Sequence, residues 1–177
     1  ELAIRYATAL NVPSVNILAG KQPVDADLLP CLNTLAENLK LACSMLTQHH
    51  IQPVFEMING TDMPRFLVQN IAQAQEMLEA VKHPALKMQY DCYHMAMMGE
   101  DVLSALQENI QDIGHIQFAD NPGRHEPDSG ELDYTTIFKW LQHSAYSGYI
   151  AAEYRPSLAS NQSFAWKDKY FPSNQSG

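Results

Sequence analysis

Two hydrophobic rhythms alternate along this chain of 177 residues. Segments with apolar side chains three or four positions apart take turns with short, nearly continuous apolar runs, which separates helix from strand. In ELAIRYATALNV, Ile4, Ala7 and Leu10 share one helical face, and Asn11 stops the helix. VPSVNIL (12–18) is β-branched and apolar and predicts a strand, with Gly20-Lys21-Gln22-Pro23 as the loop behind it. Asp25 and Asp27 are N-cap candidates for a long helix striped by Leu28, Leu32, Leu35, Leu39 and Leu46. IQPVFEMI (51–58) predicts a second strand, then a loop over Gly60–Pro64 and a helix carrying Phe66, Ile71, Met77, Leu78 and Val81. LKMQYD (86–91) follows as a strand, then a helix from about Asp101 to Asp112, then HIQFAD (115–120) and a long loop. A helix around Tyr134–His143 and the strand YIAAEY (149–154) close the pattern.

Strands of such continuous apolarity belong in a parallel sheet covered on both faces. No glycine-rich fingerprint follows any of them, which disfavours a dinucleotide-binding sheet. The repeat length is more informative. Glu56, Asp91, Gln117 and Glu153 lie 35, 26 and 36 residues apart, each at or near the C-terminal end of a strand. Eight strand-helix units in a barrel need roughly 31 residues each. The expected fold is therefore an α/β barrel of the (β/α)8 TIM type, N-terminally truncated, with the chain holding its last five units. About 80 residues would precede it, judged from the same unit length. The opening helix, already under way at residue 1, fits a start inside a domain. The partial barrel is expected over 1–156, and the Ser/Asn/Gln-rich stretch 157–177 as a loosely ordered tail.

Composition narrows the function classes. An apolar share of 46% and a charged share of 18% are those of a globular domain. A net charge of −9 gives no electrostatic footprint for nucleic acid or an anionic membrane, so neither is an expected partner. No apolar run approaches the ~20 residues of a membrane-spanning helix. Cys31, Cys43 and Cys92 form no CxxC pair and imply no disulfide framework, which suits a cytoplasmic setting.

Four polar residues sit inside otherwise apolar strand ends: Glu56 in VFEMI, Asp91 in MQYDCYH, Gln117 in HIQFAD and Glu153 in AAEYRP. Strand C-termini of a parallel barrel converge on one mouth, where active sites form. Three carboxylates and an amide oxygen make a hard, all-oxygen donor set suited to Mg²⁺ or Mn²⁺. Without a cation, crowded carboxylates repel and one shifts to its neutral form. Each residue alone has an ordinary reading: Glu56 on a solvated face, Gln117 as a cross-strand hydrogen bonder, Asp91 as a helix cap, Glu153 paired with Arg155. Their recurrence in phase with the barrel repeat is what argues for a shared site.

The stretches FEMINGTDMP, MQYDCYHM, IGHIQFADNPGRHEPDSGELDY and EYRP resemble the hydroxypyruvate isomerase family, a branch of the xylose-isomerase-like barrels. The resemblance is strongest to its 2-oxo-tetronate isomerase subgroup and runs from the first helix to about Pro156. It implies Glu56, Asp91, Gln117 and Glu153 as ligands of a divalent metal, with Glu56 and Glu153 also transferring protons. His94 would lie over the substrate carbonyl, and Arg124 of the GRHEP loop would hold a polar or anionic substrate group. Lys21 is a second candidate for the substrate carboxylate, although the guanidinium fork favours Arg124. Related sugar epimerases usually carry histidine where this chain has Gln117, which points to the hydroxypyruvate isomerase branch.

The implied reaction moves a carbonyl between adjacent carbons of a small 2-oxo acid through an enediolate. The alternatives are a ketose 3-epimerase on the same scaffold, or a truncated, non-catalytic barrel fragment. An abasic-site nuclease is disfavoured by charge and by the lack of its several-histidine site. A sheet missing three strands leaves two open edges, so either a homo-oligomer pairing through an edge or an inactive fragment is expected. Among the remaining titratable residues, His115 is expected towards the outer helix layer, and Asp62 and Asp120 as supporting hydrogen bonders.

Overall fold

A computed structural model describes residues 1–172, and 173–177 lie outside the described residues. Five parallel strands form one sheet in sequence order: β1 (Ser14–Asn16), β2 (Gln52–Glu56), β3 (Lys87–Asp91), β4 (Ile113–Phe118) and β5 (Ile150–Ala152). The sheet curls into an open half-barrel whose edges are β1 and β5. Helices α1 (Leu2–Leu10), α2 (Leu28–Thr47), α3 (Ile71–Val81), α4 (Cys92–Met97), α5 (Val102–Asn109) and α6 (Tyr134–His143) alternate with the strands.

The chain ends its elements with local chemistry. Asn11 terminates α1 in the left-handed region at φ 52°, which asparagine tolerates. Asn70, Asp91, Asp101 and Asp133 cap α3, α4, α5 and α6, each side chain accepting a backbone N–H. Asp27 stands at the N-cap of α2 but makes no side-chain cap bond.

Register explains why one sheet can be greasy and acidic at once. Phe55 pairs with Met88, Tyr90 with Ile116, and Phe118 with Ala152, so their side chains share a face. That face meets the helices: the Tyr90 hydroxyl donates to Val102 O at the start of α5, and Phe118 packs on Tyr134 and Phe138 of α6. The opposite face carries Asn16, Glu56, Gln89, Asp91 and Gln117, with Glu56 opposite Gln89 and Asp91 opposite Gln117. This inner face is the concave side of a barrel wall, lined largely by polar groups.

Two segments depart from the sequence reading. The helix expected to carry Phe66 starts only at Ile71. Arg65 instead turns in the left-handed region at φ 66°, and Phe66–Val68 lie buried outside any helix beside the loop after β1, with Leu67 N donating to Gly20 O and Gln22 N to Arg65 O. Within the stretch 157–177 expected to be loose, the described residues form two short helices, α7 (Ser160–Ser163) and α8 (Ala165–Tyr170), and 173–177 lie outside them. Trp166 stacks edge-on against Phe118, and Phe171 against Phe138. The Tyr154 hydroxyl donates to Ser163 O and accepts from Ser163 Oγ and Trp166 Nε1. Aromatic burial of this kind outweighs the polar composition of the segment. Among the described residues no helix is long and apolar enough to cross a membrane, and all three cysteines are free thiols.

Candidate active site

The inner-face residues meet at the C-terminal ends of β2, β3 and β4. Glu56 and Asp91, the last residues of β2 and β3, are 5% and 0% exposed. With His94, in α4 directly behind Asp91, each offers one ligand atom within 4.8 Å of the others. Asn16 Nδ2 donates to Glu56 Oε2 at 2.8 Å, and Tyr93 N donates to Asp91 Oδ1 at 2.9 Å. Asp91 thus caps α4 with one oxygen, while its second oxygen faces His94 and Arg124.

Arg124 reaches this group from the loop after β4. Its Nη2 donates to Glu153 Oε2 at 2.8 Å and approaches Asp91 Oδ2 at 3.4 Å, and its guanidinium lies 4.9 Å from the centre of the Tyr93 ring. The backbone of Arg124 is left-handed, φ 58°, an uncommon conformation for a residue with a side chain. Hydrogen bonds at both ends hold it: Arg124 N donates to Asp120 O, and Arg155 N donates to Arg124 O. Glu126 supports the same loop, its carboxylate accepting from Ser157 N and Ser157 Oγ.

The electrostatics are those of too many buried negative charges. Burial raises Glu56 to about 7, with Glu153 adding to the rise and Asn16, Arg124 and Gln89 opposing it. Burial likewise raises Asp91 to about 7 against the pull of Arg124 and the Tyr93 N–H. His94 is pushed down to about 4, first by burial and then by Arg124. The 3.6 Å approach of His94 Nε2 to Asp91 Oδ2 is therefore a contact of a neutral ring, not an ion pair.

Of the residues singled out in the sequence, Glu56, Asp91, His94, Arg124 and Glu153 are joined through these contacts. Glu153 is half exposed and stands one residue beyond β5. Gln117 lies on the same face as Asp91, its Oε1 accepting from Gln89 Nε2 at 2.6 Å, which leaves one lone pair on that oxygen. Lys21 does not join them: it is exposed, bridged through its backbone to Phe66, with no hydrogen bond or ion pair of its ammonium among the described residues. His115, expected towards the helices, is the register partner of Gln89 and shares the inner face.

Sequence reasoning missed Asn16, Gln89 and Asn59. Gln89 carried a signal, since it sits two positions before Asp91 and so shares its face of the strand. Asn59 lies three residues after Glu56, in a turn-forming Asn-Gly-Thr-Asp stretch. Asn16 is identified only by the pairing of β1 with β2.

The family model of the xylose isomerase-like TIM barrel matches residues 1–170. The chain belongs to that family. Within the xylose isomerase-like barrels it is 38% identical over 168 residues to a hydroxypyruvate isomerase of Escherichia coli (strain K12), covering 95% of this chain and 65% of that protein. It is 36% identical over 168 residues to a 2-oxo-tetronate isomerase of Cupriavidus necator, with the same coverage of 95% and 65%. A solved structure described as an AP endonuclease, family 2, from Brucella melitensis superposes with a TM-score of 0.90 at 30% identity, over 96% of this chain and 65% of that one. The chain thus spans about 65% of the length of the curated relatives it matches.

The residues present suit a divalent cation. Two buried carboxylates with raised pKa values lie within reach of one another, and their nearest cation, Arg124, is shared with Glu153. A bound cation would remove the repulsion that burial imposes.

Proposed function

We propose that this chain carries the active site of a metal-dependent isomerase that interconverts the 2-oxo and 3-oxo forms of a small hydroxy acid. Hydroxypyruvate to tartronate semialdehyde, or 2-oxo-tetronate to 3-oxo-tetronate, are the reactions in view. The observation that carries the reading is the pair Glu56 and Asp91, buried side by side at adjacent strand ends with carboxyls raised to about 7. The isomerase relatives named above support it.

Glu56, Asp91, Gln117 and Glu153 would hold the metal, for which the oxygen donors favour Mg²⁺ or Mn²⁺. When bound, such a cation polarises the substrate carbonyl and eases loss of the neighbouring proton. Glu56, buried at the end of β2 beside the other donors, takes that proton from carbon as general base. Glu153, half in solvent, gives a proton taken up from water to the adjacent carbon of the enediolate, while the proton of the former hydroxyl passes to the former carbonyl oxygen and Glu56 releases its proton to solvent. Arg124 spends one guanidinium nitrogen on Glu153 and Asp91 and has further N–H donors for the substrate carboxylate. Neither a nicotinamide nor a nucleophilic side chain enters this scheme.

The test offers purified protein hydroxypyruvate, 2-oxo-tetronate and free ketoses with Mg²⁺ or Mn²⁺ in deuterated buffer. Turnover of a 2-oxo acid with deuterium appearing at carbon is expected. Turnover of ketoses alone refutes the reading in favour of 3-epimerisation, and a folded protein that turns over nothing refutes it in favour of a non-catalytic fragment.

A further inference from the structure

One fully buried amide beside the carboxylates has no part in the chemistry so far. Asn59 is 0% exposed, and every polar atom of its side chain is engaged. Its Oδ1 accepts from Thr61 N at 3.0 Å and from Asp62 N at 2.8 Å. Two backbone N–H groups on one oxygen leave no freedom to exchange the amide's O and N, an assignment that otherwise depends on the surrounding network. The nitrogen must therefore face the other way, where Nδ2 donates to Asp62 Oδ2 at 3.0 Å and lies 2.7 Å from His94 Nδ1. Asp62 is itself tied down, accepting from the Tyr93 hydroxyl at 2.9 Å.

An amide nitrogen can only donate, so His94 Nδ1 must accept. A ring protonated on Nδ1, as the neutral tautomer or as the imidazolium, would set two donors against each other at 2.7 Å. The single remaining proton then sits on Nε2, the atom that faces the cluster. Asp91 Oδ2, at 3.6 Å, is too far to take it as a hydrogen bond.

We infer that Asn59 is a positioning residue that locks His94 in the tautomer protonated on Nε2, so the ring presents a neutral donor to a substrate oxygen and is not a metal ligand. The inference rests on the isomerase reading for the identity of that oxygen. The tautomer itself does not. A neutral donor fixed beside a developing oxyanion needs no reorganisation during the reaction, which is where such groups contribute most. A ligating histidine would need Nε2 bare, the opposite of what Asn59 enforces.

The experiment exchanges two side chains. In the double variant Asn59→Asp with Asp62→Asn, net charge is unchanged, the carboxylate at 59 still accepts from Thr61 N and Asp62 N, and the amide at 62 can still pair with it. Only the polarity facing His94 Nδ1 is reversed. Ring ¹⁵N signals of His94, assigned by their loss in His94→Gln, report the tautomer directly. Wild type and the single variant Asp62→Asn are expected to show an unprotonated Nδ1 and a protonated Nε2, unchanged by saturating Mg²⁺. The double variant is expected to show a protonated Nδ1, with kcat on the 2-oxo acid falling by about 10²-fold, the usual loss of one oxyanion donor, and KM moving far less. A protonated Nδ1 in wild type, or conversion of Nε2 to a metal-bound nitrogen, overturns the inference. So does a double variant whose tautomer flips while kcat holds. If the double variant fails to fold, the wild-type signals still decide. Should wild type turn over no 2-oxo acid, the isomerase reading falls while the ring signals judge the lock separately.

Discussion

Replacing Glu56 by glutamine is expected to stabilise the metal-free protein, and to do so only above the acid range. The wild-type carboxyl is buried and raised from 4.5 to about 7. A group whose pKa is higher folded than unfolded favours the folded state while protonated, and that advantage is lost as pH rises from the unfolded value through the folded one. The window is therefore about pH 4.5 to 7. At 1.36 kcal/mol per unit the full penalty is about 3 kcal/mol, of which about 2–3 kcal/mol develops between pH 5 and pH 8. Glutamine has nearly the same shape, still accepts from Asn16 Nδ2, and carries no charge to bury. Denaturant unfolding in chelator at pH 5 and pH 8 isolates the effect. Glu56→Gln should be near wild type at pH 5 and more stable by about 2–3 kcal/mol at pH 8, roughly 4–12 °C in Tm for a domain of this size. Adding Mg²⁺ should invert the order at pH 8, because wild type gains stability by mass action and the variant has lost a ligand. A variant destabilised equally at both pH values, or unaltered in its response to Mg²⁺, refutes the account of the carboxylate cluster.

Three further outcomes follow from the contacts. Arg124→Gln removes the cation shared by Asp91 and Glu153 and the proposed carboxylate anchor, and should raise KM for the 2-oxo acid about ten- to hundred-fold, measured by steady-state kinetics. Phe118→Ala deletes a side chain buried among Tyr134, Phe138 and Trp166, and should cost about 3–5 kcal/mol by denaturant unfolding without altering metal affinity. Expressed as these 177 residues, the chain should elute in light-scattering chromatography as a species larger than a monomer, since β1 and β5 present unpaired edges among the described residues. A monodisperse monomer contradicts the edge argument.

Much of the candidate site was legible because a carboxylate inside an apolar strand is costly and therefore conspicuous. Glu56, Asp91 and Glu153 stood out in this way, and the amide Gln117 was picked out only by its phase with them in the strand-helix repeat. Amides give no such signal. Asn16, Gln89 and Asn59 read as ordinary strand or turn residues, and their importance comes from partners 40, 28 and 35 positions away. The misplaced start of α3 has a similar cause: Phe66 fits the helical stripe, but the loop 20–22 offers backbone hydrogen bonds to Arg65 and Leu67 and a bridge to Phe66. Lys21, in the loop after β1, is tied by that same pairing and makes no side-chain hydrogen bond or ion pair to the site among the described residues.

Local chemistry along the chain therefore determined the order of elements, the caps at Asn70, Asp91, Asp101 and Asp133, and which strand ends carry charge. These depend on periodicity and on groups a few residues apart. Only the tertiary structure decided which face of the sheet those charges share, how Arg124 reaches two carboxylates, and which nitrogen of His94 holds its proton. Register between strands and the direction of a buried amide are properties of distant segments brought together, and no local pattern encodes them.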